Sequence, residues 1–199
     1  MIENENTDNS SFSSLHSSEQ KNKILNQRII EEKSTSKVIK VISQVLTDIC
    51  GQYKKEQDKK ELLVKSFMTK KRPNISIYEF LIRLHKLGNV SEKILILVLI
   101  YIDRLYHNRK IALNYFNIYK LILASFVTTI KTYSDEYYSL AFYAKMGGVS
   151  QKEIVNLEYE FITLLDFELF VEDKLFFKYE KYLTKEELDD DDCDYDSDG

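Results

Sequence analysis

The sequence predicts an all-α protein, a bundle of four or five helices around one almost wholly apolar helix. Three observations carry this. The 199 residues include one proline, Pro73, and five glycines, too few breakers for a many-turned β-sandwich. Apolar residues recur at three- and four-residue spacing in several segments, most of them opened by a Ser or Asn at an N-cap position. The run from Ile94 to Ile102 is apolar at every position, so the helix that carries it should lie in the middle. The length suits one domain with terminal tails and not comfortably two.

Residues 1–22 are rich in Ser, Asn and Glu, and a disordered tail is expected there. Residues 23–72 read as an N-terminal helix and a linker. In the helix, Val38, Val41, Ile42, Val45, Leu46 and Ile49 form one apolar stripe. It starts after Ser34-Thr35-Ser36 and stops near Gly51. The charged stretch from Gln52 to Lys71 holds a short apolar cluster, Leu62, Leu63, Val64, Phe67 and Met68, and should pack locally.

Past Pro73, Ser76 and Glu79 form an S-x-x-E capping box. The helix they open places Ile77, Phe80, Leu81 and Leu84 on one face and ends at Gly88-Asn89. Ser91 opens the central helix, which runs to about His107; its length with flanks favours helix over strand. Asn114 should cap a helix from Tyr115 to about Lys131. Ser139 opens a short, aromatic-rich helix that Gly147-Gly148 breaks. Ser150 and Glu153 read as a second capping box, for a helix to about Leu165. Leu175, Phe176, Phe177, Tyr179 and Tyr182 mark a C-terminal amphipathic helix within 171–187. In 188–199 contiguous aspartates repel one another, and disorder is expected. No internal repeat is present.

Several function classes are excluded by the same reading. The net charge is -4, with acid concentrated between Glu186 and Asp198, so long-range attraction for phosphates is absent and no nucleic acid partner is expected. Two cysteines, Cys50 and Cys193, do not make a disulfide framework. The first twenty residues lack the apolar core of a signal peptide. The longest apolar run, nine residues, is too short for a bilayer. The expectation is an intracellular protein, in nucleus and/or cytoplasm, with no membrane partner. Gly147-Gly148 lacks a phosphate-loop context. His16, His85 and His107 have no Cys/His companions at metal spacing, and no nucleophile-elbow sequence occurs. No catalytic residue, metal or cofactor is expected. Lys70-Lys71-Arg72 reads first as a solvated basic turn and second as a nuclear import signal.

Four charged residues fall on or beside faces that the pattern buries. Arg83 lies among Phe80, Leu84 and Leu87; Asp103 follows the central apolar run; Lys131 ends its helix; Glu158 shares a face with Ile154, Leu157, Phe161 and Leu165. An unpaired buried charge is costly, so each needs a partner. The economical arrangement pairs Arg83 with Asp103. Lys131 and Glu158 either pair as well or face a partner from the rim of the core.

The motifs PNISIYEFLIRLHKL (73–87), LIYIDRLYH (99–107), LNYFNIYKLILASFVTTIKTYSDEYY (113–138), FYAKMGGVSQKEIVNLEYEFI (142–162) and LLDFELFV (164–171) resemble those of a cyclin box. The resemblance is to the P-type/U-type class, which includes the yeast phosphate-pathway cyclins, and covers residues 36 to 185. It implies a five-helix cyclin box at 73–170, with one extra helix on each side. It implies a non-catalytic regulatory subunit whose partner is a cyclin-dependent serine/threonine protein kinase catalytic subunit. It implies that Arg83 and Asp103 form a structural ion pair and that Lys131 and Glu158 project together at the kinase interface. Three segments depart from the family pattern. Thr129 and Ile130 stand where small residues are usual, Ser134-Asp135 replaces an acidic pair, and YEFLIRL replaces the MRAIL-type sequence of cell-cycle cyclins, so no hydrophobic substrate-docking patch is expected. The other readings kept open are a kinase-independent helical adaptor and a transcription-related cyclin-fold scaffold.

Overall fold

A computed structural model describes residues 37–53, 64–108 and 111–184. The expectations for residues 1–22 and 188–199 fall outside the described residues, as do Leu62 and Leu63. Of the unit Val38–Gly199, the described residues form one compact body; of the other unit, Met1–Lys37, only Lys37 is described. The described residues form helices and connections, with no β-strand among them. The helices are α1 (37–52), α2 (Ile77–Gly88), α3 (Glu92–Asn108), α4 (Ile118–Tyr133), α5 (Leu140–Gly147), α6 (Gln151–Leu164) and α7 (Asp173–Thr184), with a 3-10 turn at Lys65–Phe67.

The all-α bundle expected from the sequence is the architecture observed, but its centre is a pair of helices. Every residue from Ile94 to Ile102 of α3 is buried, as predicted. In α4 every residue from Leu121 to Ile130 is buried too. The two helices pack on each other, with Ser125 Oγ donating to the Val98 carbonyl at 3.1 Å across their contact. Around this pair α6 packs on α4, α7 on α3, and α5 on α6 and α2. The α1 stripe Val38, Ile39, Ile42, Leu46 and Cys50 joins the same core.

Local sequence explains most boundaries. Ser76 Oγ accepts from Glu79 N–H at 3.1 Å, and the Glu79 carboxylate accepts from Ser76 N–H at 2.9 Å, which completes the first box. Asn89 closes α2 in the left-handed region with φ 48°, and Gly148 closes α5 with φ 72°. The helix expected from Tyr115 begins three residues later, at Ile118. Asn114 is spent on a turn: its side-chain oxygen accepts from Phe116 N–H, while Asn117 accepts from Asn114 N–H, both at 2.9 Å. The second capping box is only half made. Ser150 Oγ accepts from Glu153 N–H at 3.1 Å, but the Glu153 carboxylate is drawn to Lys120 at 2.8 Å.

Candidate functional site

Lys131 sits in the last turn of α4, where a cation complements the negative helix end. Glu158 sits midway along α6, at the edge between the buried stripe Ile154, Leu157 and Phe161 and the exposed Val155 and Tyr159. Because α4 and α6 pack together, the two side chains meet. Lys131 Nζ lies 2.7 Å from each carboxylate oxygen of Glu158. The side chains are 30% and 12% exposed, so the pair is neither solvated nor sealed. A two-pronged pair held at a rim leaves donor and acceptor capacity for a polar group brought by another protein.

Behind the pair, Thr129 and Ile130 are fully buried, and the hydroxyls of Thr128 and Thr129 have no hydrogen-bond partner among the described residues. Both of these departures from the family pattern therefore lie in the buried interior of α4.

The proposed Arg83–Asp103 pair is not formed. Arg83 is exposed on α2, well to one side of the buried face made by Ile77, Phe80, Leu81 and Leu84. Asp103 takes its partners from elsewhere: Tyr179 Oη of α7 donates to it at 2.7 Å, and His107, one turn on, lies at 3.2 Å. The carboxylate needed a donor, as the sequence argument required, but the donor is a phenol on the C-terminal helix. Burial and that hydrogen bond push the Tyr179 phenol upward.

Sequence reasoning missed how the connection after α6 is held. Asp166 and Phe167 both adopt positive φ, 52° and 62°, a conformation that costs on the order of 1–3 kcal/mol per non-glycine residue. The following backbone is satisfied by side chains. Tyr101 and Tyr133 donate to the Leu169 carbonyl, Tyr133 accepts from Val171 N–H at 2.9 Å, and Arg104 donates to the carbonyls of Glu168 and Phe170 at 2.9 Å each. The strap so fixed leaves Phe167 and Phe170 facing solvent, at 67% and 77% exposed. The motif LLDFELFV contains both phenylalanines, yet nothing in its spacing shows that they face outward.

A second network ties the segment before α2 to the bundle. Lys120 donates to the carbonyls of Ser66 and Met68 at 3.2 Å each and pairs with Glu153, and Ser66 hydrogen-bonds Glu160. The Arg72 guanidinium lies 3.8 Å from the centre of the Tyr115 ring, so one member of the basic turn is stacked. A groove of about 640 Å³ opens between the α2–α3 turn, the residues after α4 and the start of α7, with Tyr133, Tyr137, Phe176 and Phe177 among its walls. Among the described residues no three His, Cys, Asp or Glu side chains converge as a metal site, and no helix is long and apolar enough to cross a membrane.

Comparison with known proteins gives a consistent set. A sequence model of the family described as Cyclin matches residues 3–169. Cyclin-U4-1 of Arabidopsis thaliana is 39% identical over 116 residues, covering 58% of this chain and 57% of that protein. Cyclin-U3-1 of the same plant is 31% identical over 166 residues, covering 81% and 75%. PHO85 cyclin-7 of Saccharomyces cerevisiae is 30% identical over 186 residues, covering 82% and 64%. The chain thus spans little more than half the length of the first of these relatives.

Proposed function

The chain belongs to the cyclin family, and from that premise we propose that it binds and activates a cyclin-dependent serine/threonine protein kinase as its regulatory subunit. The observation that carries this reading is the Lys131–Glu158 pair, contributed by two helices and seated at the rim of an apolar bundle. Phosphoryl transfer in a protein kinase requires a Lys–Glu ion pair whose glutamate rides on a mobile helix. A partner that binds only the inward position of that helix shifts the equilibrium toward the active state without supplying a catalytic group. Lys131 and Glu158 suit this task because an ammonium can donate to a main-chain carbonyl of the kinase and a carboxylate can accept from a main-chain N–H. The exposed Val155 and Tyr159 on α6, and Phe167 just past its end, supply apolar area beside the pair. The cyclin box at 73–170 and the flanking helices form one binding unit in this proposal.

The test is co-purification of a kinase with the full chain and with a Lys131→Ala, Glu158→Ala double variant, alongside helical circular dichroism. Loss of the kinase with an unchanged spectrum is expected. A folded double variant that still carries kinase activity would remove Lys131 and Glu158 from the interface. Recovery of no kinase by the unmodified chain would favour the adaptor reading.

A further inference from the structure

We propose that the outer face of α7 is a docking surface whose occupant is the chain's own acidic segment, residues 186–198. Lys174, Lys178 and Lys181 recur at i, i+4 and i+7 and fall within a sector of about 60° on the helix. The opposite side of α7 carries Leu175, Phe176, Tyr179 and Leu183, which pack on the core, so the lysines face outward. All three are exposed, and among the described residues none of the three side chains has an ion pair or hydrogen bond. The acids of α7, Asp173 and Glu180, lie outside this sector. The result is a stripe of like charge, which repels itself unless an anion covers it.

The anion is in the same sequence. Nine of the chain's 32 carboxylates lie between Glu186 and Asp198; the 23 others are outnumbered by 28 Lys and Arg. The acidic segment follows directly on the helix that carries the stripe. Its acids are disfavoured at the negative C-terminal end of α7 and favoured beside the lysines. Reach is ample. Lys174 and Lys181 are about 10 Å apart along the axis, and ten residues from Asp189 to Asp198 extend to about 33 Å. Each exposed ion pair contributes little, but a short connection holds the acids at an effective concentration in the millimolar range, and several pairs act together.

The test uses the full chain with a spin label on Cys193. Cys50 is buried, and burial pushes its thiol up to about 12, so the label goes to Cys193 at neutral pH. Expected is a loss of the amide signals of residues 174–182 at low salt, with recovery in about 0.5 M NaCl, where the screening length falls to a few ångströms. A Lys174→Gln, Lys178→Gln, Lys181→Gln variant should abolish the loss, and the matching triple Lys→Arg variant should keep it. Undiminished signals at low salt would overturn the proposal, as would a loss that persists in the glutamine variant. A loss seen only on mixing labelled chain with isotope-enriched unlabelled chain would overturn it in favour of pairing between copies.

Discussion

Lys131 and Glu158, 27 residues apart, are joined by two contacts of 2.7 Å, and they are joined unequally: the glutamate side chain is more deeply buried than the lysine side chain. This inequality has an energetic consequence. Removing the lysine strands a largely buried anion, whereas removing the glutamate leaves a cation whose long stem reaches water.

Lys131→Ala should therefore destabilise the fold by about 1–3 kcal/mol, between the values for exposed and buried pairs, and Glu158→Ala by less. The double variant should cost less than the sum of the two. Urea unfolding of the four proteins in a double-mutant cycle measures this; strict additivity would mean that the pair contributes nothing.

Gly147 ends α5 against the core. A Cβ at this position would run into the Leu123 side chain, with Cγ at 3.0 Å and Cδ2 closer still, and Leu123 is buried. Gly147→Ala should cost about 1–3 kcal/mol through overpacking, despite alanine's better helix propensity. A thermal midpoint equal to or above that of the unmodified protein would contradict this packing.

The strap after α6 rests on three side chains. Tyr133→Phe removes the donor to Leu169 and the acceptor for Val171 N–H together. A loss of about 0.5–1.5 kcal/mol is expected for each bond, felt locally. Amide hydrogen exchange should quicken at Val171 while the α3 core stays protected; equal protection in both proteins would show that the strap does not depend on this phenol.

His85 makes stability pH-dependent. Burial lowers its pKa from 6.5, with Lys86 adding to the shift and Glu92 and a hydrogen bond to the Val90 backbone opposing it. The unfolded chain then binds the proton more readily than the folded one. Stability should fall as pH drops below about 6.5, until the folded ring also protonates. Between pH 7.5 and 5.5 the denaturation midpoint should decline, and His85→Asn should flatten that slope. An unchanged slope in the variant would assign it to other groups.

The helices, their buried faces and the caps at Ser76 and Ser139 were legible in the residues, because each depends on neighbours within one or two turns, whereas the start of α4 was not: Asn114 forms a turn and the helix begins at Ile118. Ser76 with Glu79 and Ser139 at the start of α5 behave as their local chemistry dictates. The all-apolar run of α3 could only be central. Glu153 shows where local chemistry loses. Its capping role was legible three residues away, but Lys120, 33 residues upstream, offers a full charge at 2.8 Å in place of a neutral N–H. Asp103 shows the same limit. Its need for a donor followed from the surrounding apolar residues, while the donor itself, Tyr179, is 76 residues distant and was chosen by the way α7 lies on α3. Spacing along a chain specifies which face of a helix is greasy. Which faces then meet, and which polar atoms arrive opposite one another, depends on how the helices rotate and pack together, and that information exists only once the chain has collapsed.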